Sequence, residues 1–345
     1  MTARITPRGP VSAQLLQALS EPARPSSDSM QRTLDAAREA LDQQPYVGTD
    51  DDLQLALLLS YGLSYGGVVE CDDRWEWHPA QVAVRTAIED LFEQQLRERV
   101  EIGELPHPDA ESVAAYLFAA TAEDSGPSLS RYLAKKATRE QATEFIIHRS
   151  IYTLKEADPH SWAIPRLTGR AKAALVEVQS DEYGGGQPSR MHSVIFAKTM
   201  AGVGLDPSYG AYIDRAPAVT LASFNMMSMF GLNRRLRGAI AGHLAAFEMT
   251  SSIPNRLYGN GFRRLGYDSE VTDYFDEHVE ADAVHEQIAG RDLAGGLAEE
   301  HPELLPDIVF GARACLYADG LVGAHMLERW QAGASSLRAE ETVTV

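Results

Sequence analysis

Cysteine is nearly absent from the 345-residue chain, which holds only Cys71 and Cys315. Two thiols exclude a disulfide framework and any thiolate-rich zinc or iron–sulfur site. Basic residues are also scarce: Lys+Arg is 31 against Asp+Glu 49, a formal net charge of -18. Phosphate backbones and anionic lipid surfaces call for clustered cations, so neither nucleic acid nor membrane is expected as a partner. No hydrophobic run is long enough for a bilayer. The most apolar early stretch, LQLALLLSYGLSYGGVV, is broken by Ser, Tyr and Gly. The opening residues MTARITPRGPVSAQLL lack the apolar core of a signal peptide, so a cytoplasmic location is expected. Internal repeats, a GxGxxG turn and a Walker loop are missing, and the GGG at Gly184–Gly186 follows a helical pattern rather than a strand.

What is present is helix-forming sequence. Hydrophobic residues make up 44% and charged residues 23%, enough to bury a core in one large or two modest domains. Residues 1–27, with the Pro- and Ser-rich EPARPSS, read as a flexible arm. Ser27 or Asp28 can cap MQRTLDAAREALDQQ. Asp50–Asp52 precede LQLALLLSYGL, and apolar residues recur at helical spacing after Pro79 and in DAESVAAYLFAATA. Residues 28–135 are therefore expected to form an N-terminal helical subdomain. Further helices are expected at 138–158, 168–183, 188–203, 217–231, 236–252, 268–289 and 303–333, within a domain over 136–335 and before a tail at 336–345. Runs of alternating Val, Ile, Thr and Tyr of strand length are scarce, so the fold class is all-α.

The sharpest polar constellation is DEHVEADAVH. His278, Asp282 and His285 stand at i, i+4 and i+7 on one helix face, with Tyr274 and Ala289 extending it. Two imidazoles and a carboxylate on an inward face need compensation, which a metal supplies; in an acidic chain they also suit a solvated polar face. Other helices end apolar stripes with ligand-type residues. Glu182 follows Leu175 and Val178, His192 precedes Ile195 and Phe196, Glu248 follows Leu244 and Ala245, and Glu156 stacks with Tyr152 and His148. Each alone also reads as a helix-end carboxylate or a core histidine. Together they form an oxygen and nitrogen set without sulfur, which favours iron or manganese over structural zinc. The paired Glu-x-x-His motifs of ferritin-like dimetal bundles are missing; one Asp-x-x-His stands at Asp282–His285.

In their order and separations, these residues resemble the haem-oxygenase-like diiron oxidases and oxygenases, the iron-containing redox enzymes, over about residues 140–330. The carrying features are Glu156 in LysGluAlaAsp, Glu182 in AspGluTyrGly with His192 ten residues on, Glu248, and His278-x-x-x-Asp282-x-x-His285. The resemblance implies a seven-helix bundle holding two irons, with O2 as co-substrate. Carried over, Glu156, His192 and His285 hold one iron, Glu248, His278 and Asp282 the other, and Glu182 bridges them. Tyr152, Tyr183 and Tyr274 are candidates for fixing the imidazoles. The N-terminal helices look like an extra region that makes a homodimer in some members.

The reactions of that family divide. Some members oxygenate an amine or guanidine nitrogen in specialised metabolism, and others cleave C–C bonds of fatty or amino acids. Metal-free enzymes and non-enzymatic helical binding proteins are the further alternatives. Glu182 together with His192 resembles the N-oxygenating branch, which implies a small amino-acid-like substrate and allows an external electron donor. Arg234, Arg235 and Arg237 suit either a substrate carboxylate or a solvated helix end. Met226, Met227, Met229 and Phe230 suit either a pocket or a core. His78 reads as structural and His107 and His301 as exposed, while His148 and His160 flank Glu156 as rival ligands.

Overall fold

The computed structural model describes residues 5–43, 46–66, 68–122 and 128–339, without the side chains of 280–283. Helix is the only regular secondary structure among the described residues. The helices in chain order are α1 (Pro10–Leu19), α2 (Asp28–Asp42), α3 (Asp51–Tyr65), α4 (Pro79–Arg99), α5 (Ala110–Ala122), α6 (Leu129–Lys135), α7 (Arg139–Thr153) and α8 (Asp158–Ser161). They continue as α9 (Gly169–Glu182), α10 (His192–Gly202), α11 (Ala218–Leu232), α12 (Arg237–Met249), α13 (Ser252–Arg264), α14 (Ser269–Gln287), α15 (Gly296–Glu300) and α16 (Leu305–Gln331). A π-helical stretch, Ile288–Gly295, follows α14 directly. Local chemistry sets many starts. The Ser27 side chain accepts from the Met30 amide, Asp50 from Leu53 and Asp268 from Val271, while Thr138 and Gln141 close a reciprocal capping box on α7.

The chain divides into two compact units. One comprises Met1–Arg99, Tyr209–Met226 and Leu337–Val345, the other Val100–Ser208 and Met227–Ser336. In the first, residues expected as a flexible arm include α1. Its amides at Val11 and Ser12 donate to the Asp52 carboxylate at 2.8 and 2.7 Å, and Val11 and Leu15 are buried. The cap comes from a residue forty positions away, so no local pattern announces it. Tyr61 donates to Glu89 at 2.7 Å, and Asn225 Nδ2 donates to the backbone and side-chain oxygens of Gln54 at 2.8 and 2.7 Å.

In the second unit, α5 and α6 belong to the bundle rather than to a separate N-terminal subdomain ending at 135. The helix α5 lies along the π-helical stretch, and α6 lies on α13. A Cβ at Gly295 would run into the Ala110 backbone, so this approach depends on the missing side chain. The pair α12 and α16 is packed in the same way: a Cβ at Gly242 would overlap the Ile308 carbonyl, and one at Gly311 the Ala239 carbonyl. Ser336, expected in the tail, is buried and donates to Glu144 from both its amide (2.8 Å) and its hydroxyl (2.7 Å). The tight α12–α16 pair carries Glu248 near its end, and α9, α10 and α14 bring in the other carboxylates and imidazoles.

Candidate metal centre

Glu156 lies three residues beyond α7, Glu182 ends α9, His192 begins α10, Glu248 sits near the end of α12, and His278 and His285 lie two turns apart on α14. All six are buried. The loop holding Glu156 is under backbone strain. Ala157 has φ +73, a left-handed conformation that costs about 1–3 kcal/mol for a residue with a Cβ. Gln179 Nε2 donates to the Ala157 carbonyl at 2.7 Å and holds that turn.

Two overlapping groups result. Glu156, Glu182, His192 and His278 each bring one ligand atom within 4.8 Å of the others, and Glu182, Glu248 and His285 do the same. Glu182 belongs to both. His192 Nδ1 is 2.9 Å from Glu182, His278 Nε2 is 3.6 Å from Glu156, and His285 Nδ1 is 3.6 Å from Glu248 and 3.9 Å from Glu182.

Hydrogen bonds outside the cluster set which ring nitrogen faces it. The Nδ1–H of His278 donates to the Tyr274 carbonyl at 2.7 Å, leaving Nε2 with its lone pair towards Glu156. The Nε2–H of His285 donates to Asp181 at 3.0 Å, leaving Nδ1 towards Glu182 and Glu248. This carboxylate or carbonyl behind an imidazole is the outer support typical of metal-ligating histidine. The Tyr274 hydroxyl reaches both Glu156 oxygens, at 2.8 and 2.9 Å, and fixes that carboxylate from behind. Burial works against charge on Glu156, yet the hydrogen bond and charge of His278, with help from His192 and Tyr274, hold its carboxyl below the ordinary range. Burial pushes Glu248 up. Burial also opposes a charged His285, but the hydrogen bond and charge of Glu248, with Asp181 and Glu182, outweigh it and push it up to about 9.

This donor set suits metal ions. The Nδ1 atoms of His192 and His285 are fully buried and face carboxylate oxygens, Glu182 at 2.9 Å and Glu248 at 3.6 Å. Three carboxylates share the same buried space, a repulsive arrangement that cations between them relieve. Oxygen and nitrogen donors without sulfur match iron or manganese.

The division between the two groups differs from the one the resemblance implies. His278 joins Glu156 and His192, and His285 joins Glu248. Two helical turns, about 10 Å along the axis, separate the two histidines, so each meets the carboxylate at its own level of the bundle. The side chain of Asp282 lies outside the described residues. Asp181 is the residue the sequence pattern misses, because its carboxylate is mostly exposed and lies off the apolar stripe. Of the three tyrosines, Tyr274 supports the cluster. Tyr183 donates to Asp158 at 2.8 Å, and Tyr152 lines the small space among the ligands.

The rival histidines are outside both ligand groups, although His160 lines the small space among the ligands. His148 Nε2 is 3.0 Å from Ser336 Oγ, and His160 Nε2 is 3.1 Å from His243 Nδ1. Burial pushes both His148 and His160 down to about 3. His78 is hydrogen-bonded to the Arg24 carbonyl at 2.7 Å. His107 sits beside Asp109, largely open to solvent, and His301 beside Glu303, half-buried. Arg234 and Arg235 are exposed, whereas Met226, Met227, Met229 and Phe230 are buried.

The space among the ligands is about 10 Å3, room for roughly one water-sized centre. It is lined by Glu156, Glu182, Glu248 and His278 together with Phe247 and Ser251. No described helix is long and apolar enough to cross a membrane. A family model described as iron-containing redox enzyme matches residues 143–320. A nitrosourea synthase of Streptomyces achromogenes subsp. streptozoticus is 28% identical over 208 residues, which is 59% of this chain and 44% of that protein. The chain thus matches less than half the length of that relative. Every residue of the buried cluster falls within the family match, which spans just over half of the chain, and the all-α bundle is the haem-oxygenase-like fold: the chain belongs to the iron-containing redox enzyme family.

Proposed function

We propose that the protein is an O2-dependent non-haem diiron oxygenase that oxygenates an amine or guanidine nitrogen of a small amino-acid-like substrate. The observation that carries the diiron reading is Glu182, a single buried carboxylate common to two groups that each contain an imidazole. In this reading Glu156, His192 and His278 would hold one iron and Glu248 and His285 the other, Glu182 being the carboxylate common to both groups and Asp282 a further candidate ligand. When bound, the two irons supply the electrons that activate O2. The protein contributes orientation: Tyr274 and Asp181 lock two imidazoles with the correct nitrogen inward, and Tyr274 also keeps Glu156 from turning away. Burial excludes bulk water from the oxidising site. The nitrogen to be oxygenated must arrive unprotonated, since an ammonium has no lone pair to give.

The nitrosourea synthase likeness supports nitrogen over carbon chemistry, and the family supports a redox enzyme acting on a small molecule. The test is anaerobic Fe(II) titration followed by O2 admission with candidate amino acids. Two irons per chain and O2 uptake coupled to a hydroxylamine, nitroso or more oxidised nitrogen product are expected. One iron per chain, or products shortened by a carbon, would overturn the proposal.

A further inference from the structure

A second, larger cavity lies beside the metal-ligand cluster. Its volume is about 320 Å3, within the roughly 300–1,000 Å3 common for small-molecule pockets. Phe247 and Ser251 line both this cavity and the small space among the ligands, so the two adjoin. Its walls mix apolar side chains, Phe145, Leu316, Val322 and Met326 among them, with polar ones such as Thr250, Asn255 and Tyr258. On these walls the fold places one cation, Arg149 of α7, and one anion, Asp319 of α16.

The state of these two charges is unusual. Arg149 makes no direct hydrogen bond or ion pair among the described residues, and neither does Asp319; burial opposes the Arg149 charge, but Tyr274, Tyr258, Glu156 and Asp319 nearby outweigh it. They do not pair with each other, although they line the same cavity. Asp319 is exposed, on the wall of the cavity. Asn255 lines the cavity too; it is 3% exposed and its Oδ1 has no partner. A cation and an anion that line one cavity without pairing, beside the buried Asn255 oxygen that lacks a partner, leave room for a ligand carrying both charges.

We infer that Arg149 and Asp319 anchor the zwitterionic head of an amino acid, Arg149 taking its carboxylate and Asp319 its ammonium, while its side chain runs past Phe247 and Ser251 to the metal centre. A guanidinium offers paired donors in the plane of a carboxylate, and a lone carboxylate is the natural acceptor for an ammonium. With its head charges satisfied at the far pair, the substrate presents only its distal nitrogen to the irons. The inference rests on the reading of the cluster as an oxygenase centre, and it assigns specificity to residues outside that cluster.

The test is anaerobic calorimetric titration of the Fe(II)-loaded protein with L-arginine, L-lysine and L-ornithine. Each is paired with its analogue lacking the carboxylate (agmatine, cadaverine, putrescine) and its analogue lacking the α-amine (5-guanidinopentanoate, 6-aminohexanoate, 5-aminopentanoate). At least one amino acid should bind about 10- to 100-fold more tightly than both of its analogues, the usual weight of a charge-assisted hydrogen bond. R149Q should remove the preference over the decarboxylated analogue without weakening that analogue further. D319N should do the same for the des-amino analogue. R149K, which keeps the charge but not the fork, should fall between, and unchanged iron loading in each variant shows that the bundle is intact.

The inference fails if none of the three amino acids binds, if the analogues bind as tightly as their parents, or if R149Q weakens arginine and agmatine alike. Amino-acid binding by a protein that takes up no iron supports the anchor and sinks the oxygenase reading. Two irons and O2 uptake without head-group discrimination sink the anchor and leave the oxygenase reading standing.

Discussion

Two sets of buried histidines lie in the second unit, and burial acts on both in the same sense. His148 meets Ser336 and His325, His160 and His243 meet each other, and desolvation drives all three towards the neutral form, outweighing the pull of Glu144 on His148 and of Glu156 on His160. His192 and His285 feel the same penalty, but the neighbouring carboxylates Glu182 and Glu248 reverse it and raise both. The difference lies in the partners, not in depth. A histidine whose hydrogen-bond partners are neutral is kept uncharged by its burial, whereas one among carboxylates sits in a negative site that calls for cations.

Removing a histidine from each set should separate them most widely. H278A should weaken the binding of one Fe(II) by more than about 100-fold, since even outer-shell losses cost about 10–100-fold. H160N should leave the iron count unchanged. Because Glu182 belongs to both groups, E182Q should weaken both irons and disturb their magnetic pairing. Iron per chain after desalting, with Mössbauer spectra of the loaded protein, reads both results. An H160N protein that loses iron while H278A keeps it would reverse the comparison.

The groups behind the ligands come next. Y274F removes the hydroxyl that holds both Glu156 oxygens, and D181N weakens the support behind His285. Each should lower Fe(II) affinity by about 10- to 100-fold, D181N towards the lower end because Asp181 is largely exposed. Competition with a chelating dye measures both. Equal affinity in Y274F and the parent would mean that Glu156 is held by packing alone.

Helical periodicity made much of the second unit legible, because apolar stripes and capping residues are local signals. Spacing alone put His278 and His285 on one face. Which carboxylate each would meet was not legible, since that depends on the level at which α7, α9 and α12 end beside α14. Helix α13 escaped notice because Pro254, Gly259 and Gly261 weaken its pattern. Yet a Cβ at Gly261 would strike the Leu133 backbone, so the helix-weakening residue is what lets α13 lie on α6. Helix α1 was hidden for the opposite reason: its cap, Asp52, belongs to another helix. Arg149 and Asp319 carried no signal, being 170 positions apart and ordinary in their local contexts.

The His160–His243 contact provides a smaller effect. H243L leaves His160 Nε2 without its 3.1 Å partner, and a buried polar group so orphaned costs about 1–3 kcal/mol. Urea unfolding of the metal-free protein should show that loss, with iron loading at the native level. Loss of iron instead would bring this pair into the metal centre.

The gentlest probe is pH, through His148. Burial holds its folded pKa at about 3, against about 6.5 in an unfolded chain. Above about pH 6.5 neither state binds the proton, and the group's contribution to stability is fully present. As pH falls, the unfolded chain takes up the proton while the folded one does not, so stability is lost through the window from about 6.5 down to about 3. The limiting slope is about 1.4 kcal/mol per pH unit. H148Q retains a donor for Ser336 and removes the titration. Its stability relative to the parent should therefore improve steadily as pH drops from 7.5 to 4.5, in urea melts of the metal-free proteins. Carboxylates that titrate in the same range are common to both proteins and cancel in the difference. A gap that stays constant with pH would show that His148 titrates in the fold as it does in the unfolded chain, and a gap that narrows as pH falls would move it from the neutral set to the charged one.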